Sequence, residues 1–158
     1  MTRLPSLGPR GEGWVVIQFL LLGLVGLAGA VGPGWDGPLR TGASLAGVML
    51  LGAGGLLAVR GLIDLRGALT PLPHPRAGAA LVDTGAYRLA RHPIYGGLVL
   101  GATGFGLVTA SPLALVGAVV LLGFFRLKSE REEAWLEAHY PGYRVYRART
   151  RRLIPWLY

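Results

Sequence analysis

Three stretches of this chain carry no charged side chain, and they decide what it can fold into: residues 14–33, 41–59 and 93–125. They are bounded by Glu12 and Asp36, by Arg40 and Arg60, and by His92 and Arg126. A bilayer core is crossed by about 20 apolar residues of helix rising roughly 1.5 Å each. The first two stretches therefore fit one span apiece. The third has 33 residues, a helix of about 50 Å if continuous, against a hydrocarbon core of about 30 Å. Ser111-Pro112 lies near its middle, where proline removes a helical donor and biases the preceding residue toward a turn. The expectation is an all-α integral membrane protein, one domain over 1–158. Its four transmembrane helices fall at about 14–33, 41–60, 93–110 and 112–127, the last two forming a helical hairpin.

Charge placement tests that topology. With four spans, the N-terminal segment, the loop 61–92 with its flanking Arg60 and the tail beyond residue 125 share one side, holding 2, 5 and 8 Lys and Arg residues; Arg40 stands alone on the other. The positive-inside rule then predicts that both termini and the loop are cytoplasmic, in the cell membrane. The net charge of +8 is accounted for by topology and attraction to anionic lipid. With no aromatic-basic platform beside it, a nucleic-acid partner is not expected. Composition agrees: 52% of residues are hydrophobic and 15% charged, with a mean hydropathy of +0.48, where a soluble domain carries about 25% charged residues. No cysteine is present, which excludes thiolate catalysis and Cys-ligated zinc. Arg3, Arg10, the first apolar run and Ala28-Gly29-Ala30 also fit a cleavable signal peptide, an alternative that charge counting leaves open.

The glycines number 26 and fall mostly inside the spans, where small residues let helices approach closely. The segment 67–89 differs, with Pro71, Pro73, Pro75, Gly78 and Asp83-Thr84-Gly85 as turn and breaker signals. It is too long for a simple connector and reads as a functional cytoplasmic loop. The fourth span continues as helix to His139, where Pro141-Gly142 ends it. Its 28 residues from Pro112 make about 42 Å, so its second half projects from the membrane.

Two constellations there could carry chemistry. On the projecting helix Phe125, Lys128, Glu132, Trp135 and His139 share one stripe by their spacing, and Glu130, Glu133 and Glu137 share another. This is either a solvated charged face or a cation and carboxylate facing the Pro-rich loop. The second is Arg91-His92-Pro93-Ile94-Tyr95-Gly96-Gly97. Pro93 suits a first helical position, and the two glycines would let a flat ligand lie against the backbone. The alternative is interfacial anchoring by Arg, His and Tyr. A metal site is not expected, because His74, His92 and His139 are scattered and no HExxH motif exists.

The segments LVDTGAYRLARHPIYGG, FFRLKSEREEAWL and YRVYRARTRRLIP together resemble the isoprenylcysteine carboxyl methyltransferase and phospholipid methyltransferase superfamily, integral-membrane enzymes that use S-adenosylmethionine. The resemblance covers about residues 66–157. It implies cofactor contacts at Ala80, Leu81 and Val82, at Tyr87, from His92 and Pro93 through Tyr95, and at Glu132. It gives Lys128 and Glu132 the catalytic roles, with Lys128, helped by Arg149, orienting the acceptor. Lys128 stands where isoprenylcysteine enzymes carry an arginine, and lysine lacks the planar fork that grips a carboxylate twice. Ala86 replaces a frequent proline, and the run from His139 to Tyr143 is one residue shorter than usual. The implied activity is methyl transfer to a lipophilic or small acceptor at the bilayer: a prenylcysteine carboxylate, a phospholipid amine or a thiol. The rivals are an NADPH-dependent membrane reductase and a non-catalytic membrane scaffold.

Overall fold

A computed structural model describes residue 5 and residues 7–66 and 80–157 of the chain. The proline-rich part of the loop, with Pro71, Pro73, His74, Pro75 and Gly78, lies outside the described residues. Regular structure among those described is helical: α1 (Glu12–Val31), α2 (Leu39–Leu65), α3 (Pro93–Val108), α4 (Pro112–His139) and α5 (Tyr143–Arg149), with a 3-10 turn at Gly85–Arg88.

Among the described residues three helices, α1, α2 and α4, are long and apolar enough to cross a membrane. The helix α3 ends at Val108 after 16 residues, about 24 Å, so by its own length it falls short of the span expected at 93–110. It is also the most enclosed, burying Gly96, Gly97, Val99, Ala102, Gly104 and Gly106. The turn at its end is closed by Ser111, whose Oγ accepts from the Ala114 N–H at 3.2 Å and donates to the Ala28 carbonyl at 2.9 Å. One serine thus caps α4 and ties the hairpin to the end of α1.

The helix α2 runs to Leu65, five residues beyond the expected end at 60, and the loop expected at 61–92 begins correspondingly later. The extra turn has a use: Asp64 Oδ2 accepts from Arg60 Nε at 3.0 Å and from the Ala86 N–H at 2.7 Å, fastening the 3-10 turn to the helix.

The two long contacts are of different kinds. Between α1 and α4, Trp14 packs on Phe124 with ring centroids 5.6 Å apart, and Val25 lies against Gly117. Between α2 and α3 the helices meet through glycine. The buried residues of α2 are Gly47, Gly54 and Gly61, one per two turns and hence on one stripe. A Cβ on Gly54 would sit 2.6 Å from the Gly97 carbonyl oxygen, and one on Gly97 would sit 2.5 Å from that of Gly54; Gly47 and Gly104 repeat the arrangement at 2.7 and 2.6 Å. Close packing thus explains these glycines, whereas a side chain on Gly52, Gly55 or Gly101 would meet open space.

Candidate active site

The chain enters α3 through His92, whose backbone N–H donates to the Arg152 carbonyl at 2.9 Å while that of Arg91 donates to Arg151 at 2.8 Å. The tail after α5 therefore runs beside 90–92, with an isolated parallel bridge between Ala90 and Arg151. Pro93 occupies the first turn, as expected of a residue with no donor to lose. Gly96 does not leave room for a ligand, as its sequence position suggested: a Cβ there would lie 2.0 Å from the Leu153 carbonyl oxygen. Leu153 is itself fully buried. The two glycines admit the tail and α2, not a small molecule.

His92 stands between two carboxylates from adjacent positions of α4. Its Nδ1 is 3.2 Å from Glu132 Oε2 and its Nε2 is 3.3 Å from Glu133 Oε1, the second without hydrogen-bond alignment. Burial, the largest single influence, disfavours the imidazolium, but the bonds and charges of Glu132 and Glu133 together outweigh it and raise the His92 pKa. On the other side of Glu132, Tyr95 donates its hydroxyl to Oε1 at 2.5 Å. The Tyr95 ring stacks on Phe125 at 4.6 Å and on His92 at 5.5 Å, which fixes the angle of that donation.

Lys128 lies one helical turn before Glu132 and is only 1% exposed. Its Nζ sits 4.9 Å from the centre of the Tyr95 ring and donates to Gln18 Oε1 of α1 at 2.6 Å. The projecting helix is thus not simply solvated: Lys128 faces α1 and α3, while the Pro-rich loop it was expected to face lies outside the described residues. Tyr87, in the 3-10 turn, is buried, and its carbonyl accepts from the Tyr146 hydroxyl at 2.7 Å. Burial pushes the Tyr87 phenol up, and the charge of Glu132 adds to it.

Of the residues singled out from sequence, His92, Tyr95, Lys128 and Glu132 come together in direct contact, with Pro93 setting the helix entry and Tyr87 within the field of Glu132. Ala80, Leu81 and Val82 form the irregular segment leading to the 3-10 turn, Ala80 exposed and the other two half-buried. Arg149 does not join Lys128. It pairs with Asp83 at 2.5 Å and lines a separate cleft of about 410 Å³ with Asp83, Thr84, Arg88 and Thr150.

Sequence reasoning singled out Arg91 but not its partner, and missed Gln18 and the role of Glu133. Glu133 binds Arg91 Nε at 2.8 Å and has Arg147 and Arg152 each at 3.4 Å. Arg91 also reaches the Thr150 and Arg147 carbonyls, so one buried pair joins α4, the start of α3 and the tail. No helical spacing rule links residues 42 positions apart. Gln18 did leave a signal, as the one amide side chain in the uncharged run 14–33.

The segment that carries the arginine-histidine-proline helix entry and the glutamate pair is matched by a known family. The family model for phospholipid methyltransferases matches residues 43–142. The chain belongs to the phospholipid methyltransferase family. It is therefore grouped with membrane methyltransferases, and its matched part runs from early α2 to just before α5, taking in His92, Tyr95, Lys128 and Glu132. The helix α1, with Gln18, lies outside the match, as do α5 and the tail. No curated protein matches the chain.

Proposed function

We propose that this chain transfers the methyl group of S-adenosylmethionine to a lipophilic acceptor at the membrane. The observation that carries the reading is Glu132, a carboxylate held from two sides by the Tyr95 hydroxyl and His92 Nδ1 one turn from the buried Lys128. The donor set fits the cofactor: a carboxylate offers about four lone-pair sites, and Glu132 has two committed, leaving capacity for the cofactor's ammonium group through a charge-assisted bond. When bound, S-adenosylmethionine supplies a methyl group already activated on a sulfonium. The work of the chain is then alignment and exclusion of water. His92 and Tyr95 fix Glu132; Tyr87 and the segment Ala80–Val82 flank the adenosine; Lys128 draws an anionic oxygen of the acceptor toward the site.

A phospholipid amine is the acceptor that the family match favours, with Lys128 on the lipid phosphate as a point charge. A prenylcysteine carboxylate is the second reading. The same match favours methyl transfer over the reductase and scaffold readings. In the membrane we propose four crossings, with α3 as the fourth. Enclosed by α2 and α4, it need not match the lipid thickness alone, and the basic excess then sets both termini in the cytoplasm.

The test is a thermal-shift titration of the detergent-purified protein with S-adenosylmethionine, S-adenosylhomocysteine and NADPH. A ligand at 100 times its Kd adds about 2.7 kcal/mol. Both adenosyl ligands are expected to stabilise the wild type, and Glu132→Gln is expected to lose that response while staying folded. Lys128→Ala should keep it and lose turnover on phosphatidylethanolamine. Stabilisation by NADPH alone would overturn the reading in favour of a reductase.

A further inference from the structure

Lys128 is the only lysine in the chain, and its side chain is buried. Among the described residues its side-chain hydrogen bond is to Gln18 Oε1 at 2.6 Å; the Tyr95 ring lies beneath it, and Glu132 is the carboxylate on the next turn. A lysine ends in a compact charge with three rotatable donors on a flexible stem, so its direction comes from what accepts its protons. Here that acceptor is the one amide side chain in α1, a helix uncharged beyond Glu12. A polar side chain in such a span is costly unless partnered, and when kept it marks a functional position.

We infer that Gln18 is the positioning residue for Lys128, and that α1 thereby determines which acceptor headgroup this enzyme engages. The geometry separates the two jobs of the site. The cofactor side, with His92, Tyr95 and Glu132, lies wholly within the family-matched segment 43–142, whereas the acceptor-side cation takes its orientation from a helix outside it. The acceptor part of this inference rests on the methyltransferase reading above; the Gln18–Lys128 part does not.

Two measurements on Gln18→Leu and the near-isosteric Gln18→Glu keep those parts distinguishable. The first is acylation of Lys128 by trace acetic anhydride at fixed pH, read by peptide mass spectrometry. A single lysine makes the signal unique, and no substrate is needed. Without its acceptor, Lys128 of Gln18→Leu is expected to acylate several-fold faster than wild type; held by a carboxylate in Gln18→Glu, it should acylate more slowly. The second is methyl transfer to phosphatidylethanolamine in vesicles. Gln18→Leu should raise the acceptor KM about tenfold, the worth of one charge-assisted hydrogen bond, with the Kd for S-adenosylhomocysteine unchanged. Gln18→Glu should raise that KM as well, because the added carboxylate neutralises the cation the acceptor needs. A bond that merely joins α1 to α4 would lower the Tm of Gln18→Leu and leave acylation, KM and Kd alone, and that result overturns the proposal. So does equal acylation in all three proteins. If the wild type binds no adenosyl ligand, the methyltransferase reading fails, and the acylation rates still decide whether Gln18 holds Lys128.

Discussion

Where α2 meets α3 the contact is backbone on backbone, glycine against glycine carbonyl; where α4 passes the entry of α3 it is charge on charge, with Glu133 among Arg91, Arg147, Arg152 and His92. The first region works by the absence of atoms. Lipid chains are as apolar as leucine, so helices in a bilayer gain little by burying apolar side chains and associate through close packing of small residues. The second works by the presence of particular partners. Water competes for exposed charges, so an ion pair holds firmly only where it is buried and fully matched, as it is for Glu133 and Arg91, 3% and 8% exposed. One chain thus joins its helices by two opposite rules, and each predicts a different kind of failure.

The largest effect is expected at the charge cluster. Glu133→Ala leaves Arg91 and Arg152 facing an apolar gap and removes one of the two carboxylates beside His92. Breaking a buried pair from one side costs about 3–5 kcal/mol, and here it also loosens the tail that Arg91 holds through the Thr150 and Arg147 carbonyls. Chemical denaturation in detergent should show that loss, with Glu130→Ala, an exposed neighbour, within about 0.5 kcal/mol of wild type. Equal stability in the two variants would mean that the cluster holds nothing together.

A smaller effect separates the glycines of α2 and α3. Gly97→Ala puts a methyl 2.5 Å from the Gly54 carbonyl oxygen, and overpacking of that kind costs about 1–3 kcal/mol. Gly52→Ala, in the same helix pair but facing open space, should be neutral or stabilising, since alanine exceeds glycine in helix propensity by about 1 kcal/mol. Should both substitutions behave alike in the same denaturation experiment, the seam is not what joins α2 to α3.

What the sequence made legible follows the same division. Helix existence was readable because charge-free runs and prolines act locally: Pro93 and Pro112 each open the helix expected of them, and α4 ends at His139 as Pro141-Gly142 required. Lys128 and Glu132 were placed on one face because helical spacing is local too. The contacts that complete the site join residues far apart in sequence, Gln18 with Lys128 and Arg91 with Glu133, and no periodicity encodes them. Gly96 and Gly97 show the same limit from the other direction. Their smallness announced a close approach, but whether to a ligand, to α2 or to the tail depended on the chain's return through Leu153. The resemblance to a methyltransferase family pointed to His92, Tyr95, Lys128 and Glu132, which the structure brings together, without saying what held them.

The smallest predicted effect tests His92, where the two rules meet. Buried like the seam and charged like the cluster, it is pulled both ways: burial favours the neutral ring, while Glu132 and Glu133 favour the proton. The balance falls on the side of the proton, so the folded pKa lies above the ordinary value of 6.5. A raised folded pKa gives stability that is fully present below the unfolded value and is lost as pH rises through the folded one. The Tm of the wild type should therefore hold up to about pH 6.5 and decline above it, modestly, because the opposing influences leave only their difference. His92→Gln should be less stable at low pH and lack that decline. Glu132→Gln should shrink the decline without abolishing it, since Glu133 remains. A wild-type Tm that does not fall across this range would mean that His92 is neutral in the folded protein, with burial winning over the two carboxylates. Glu132 would then stand beside the Tyr95 hydroxyl and a neutral imidazole, with no imidazolium to pair with.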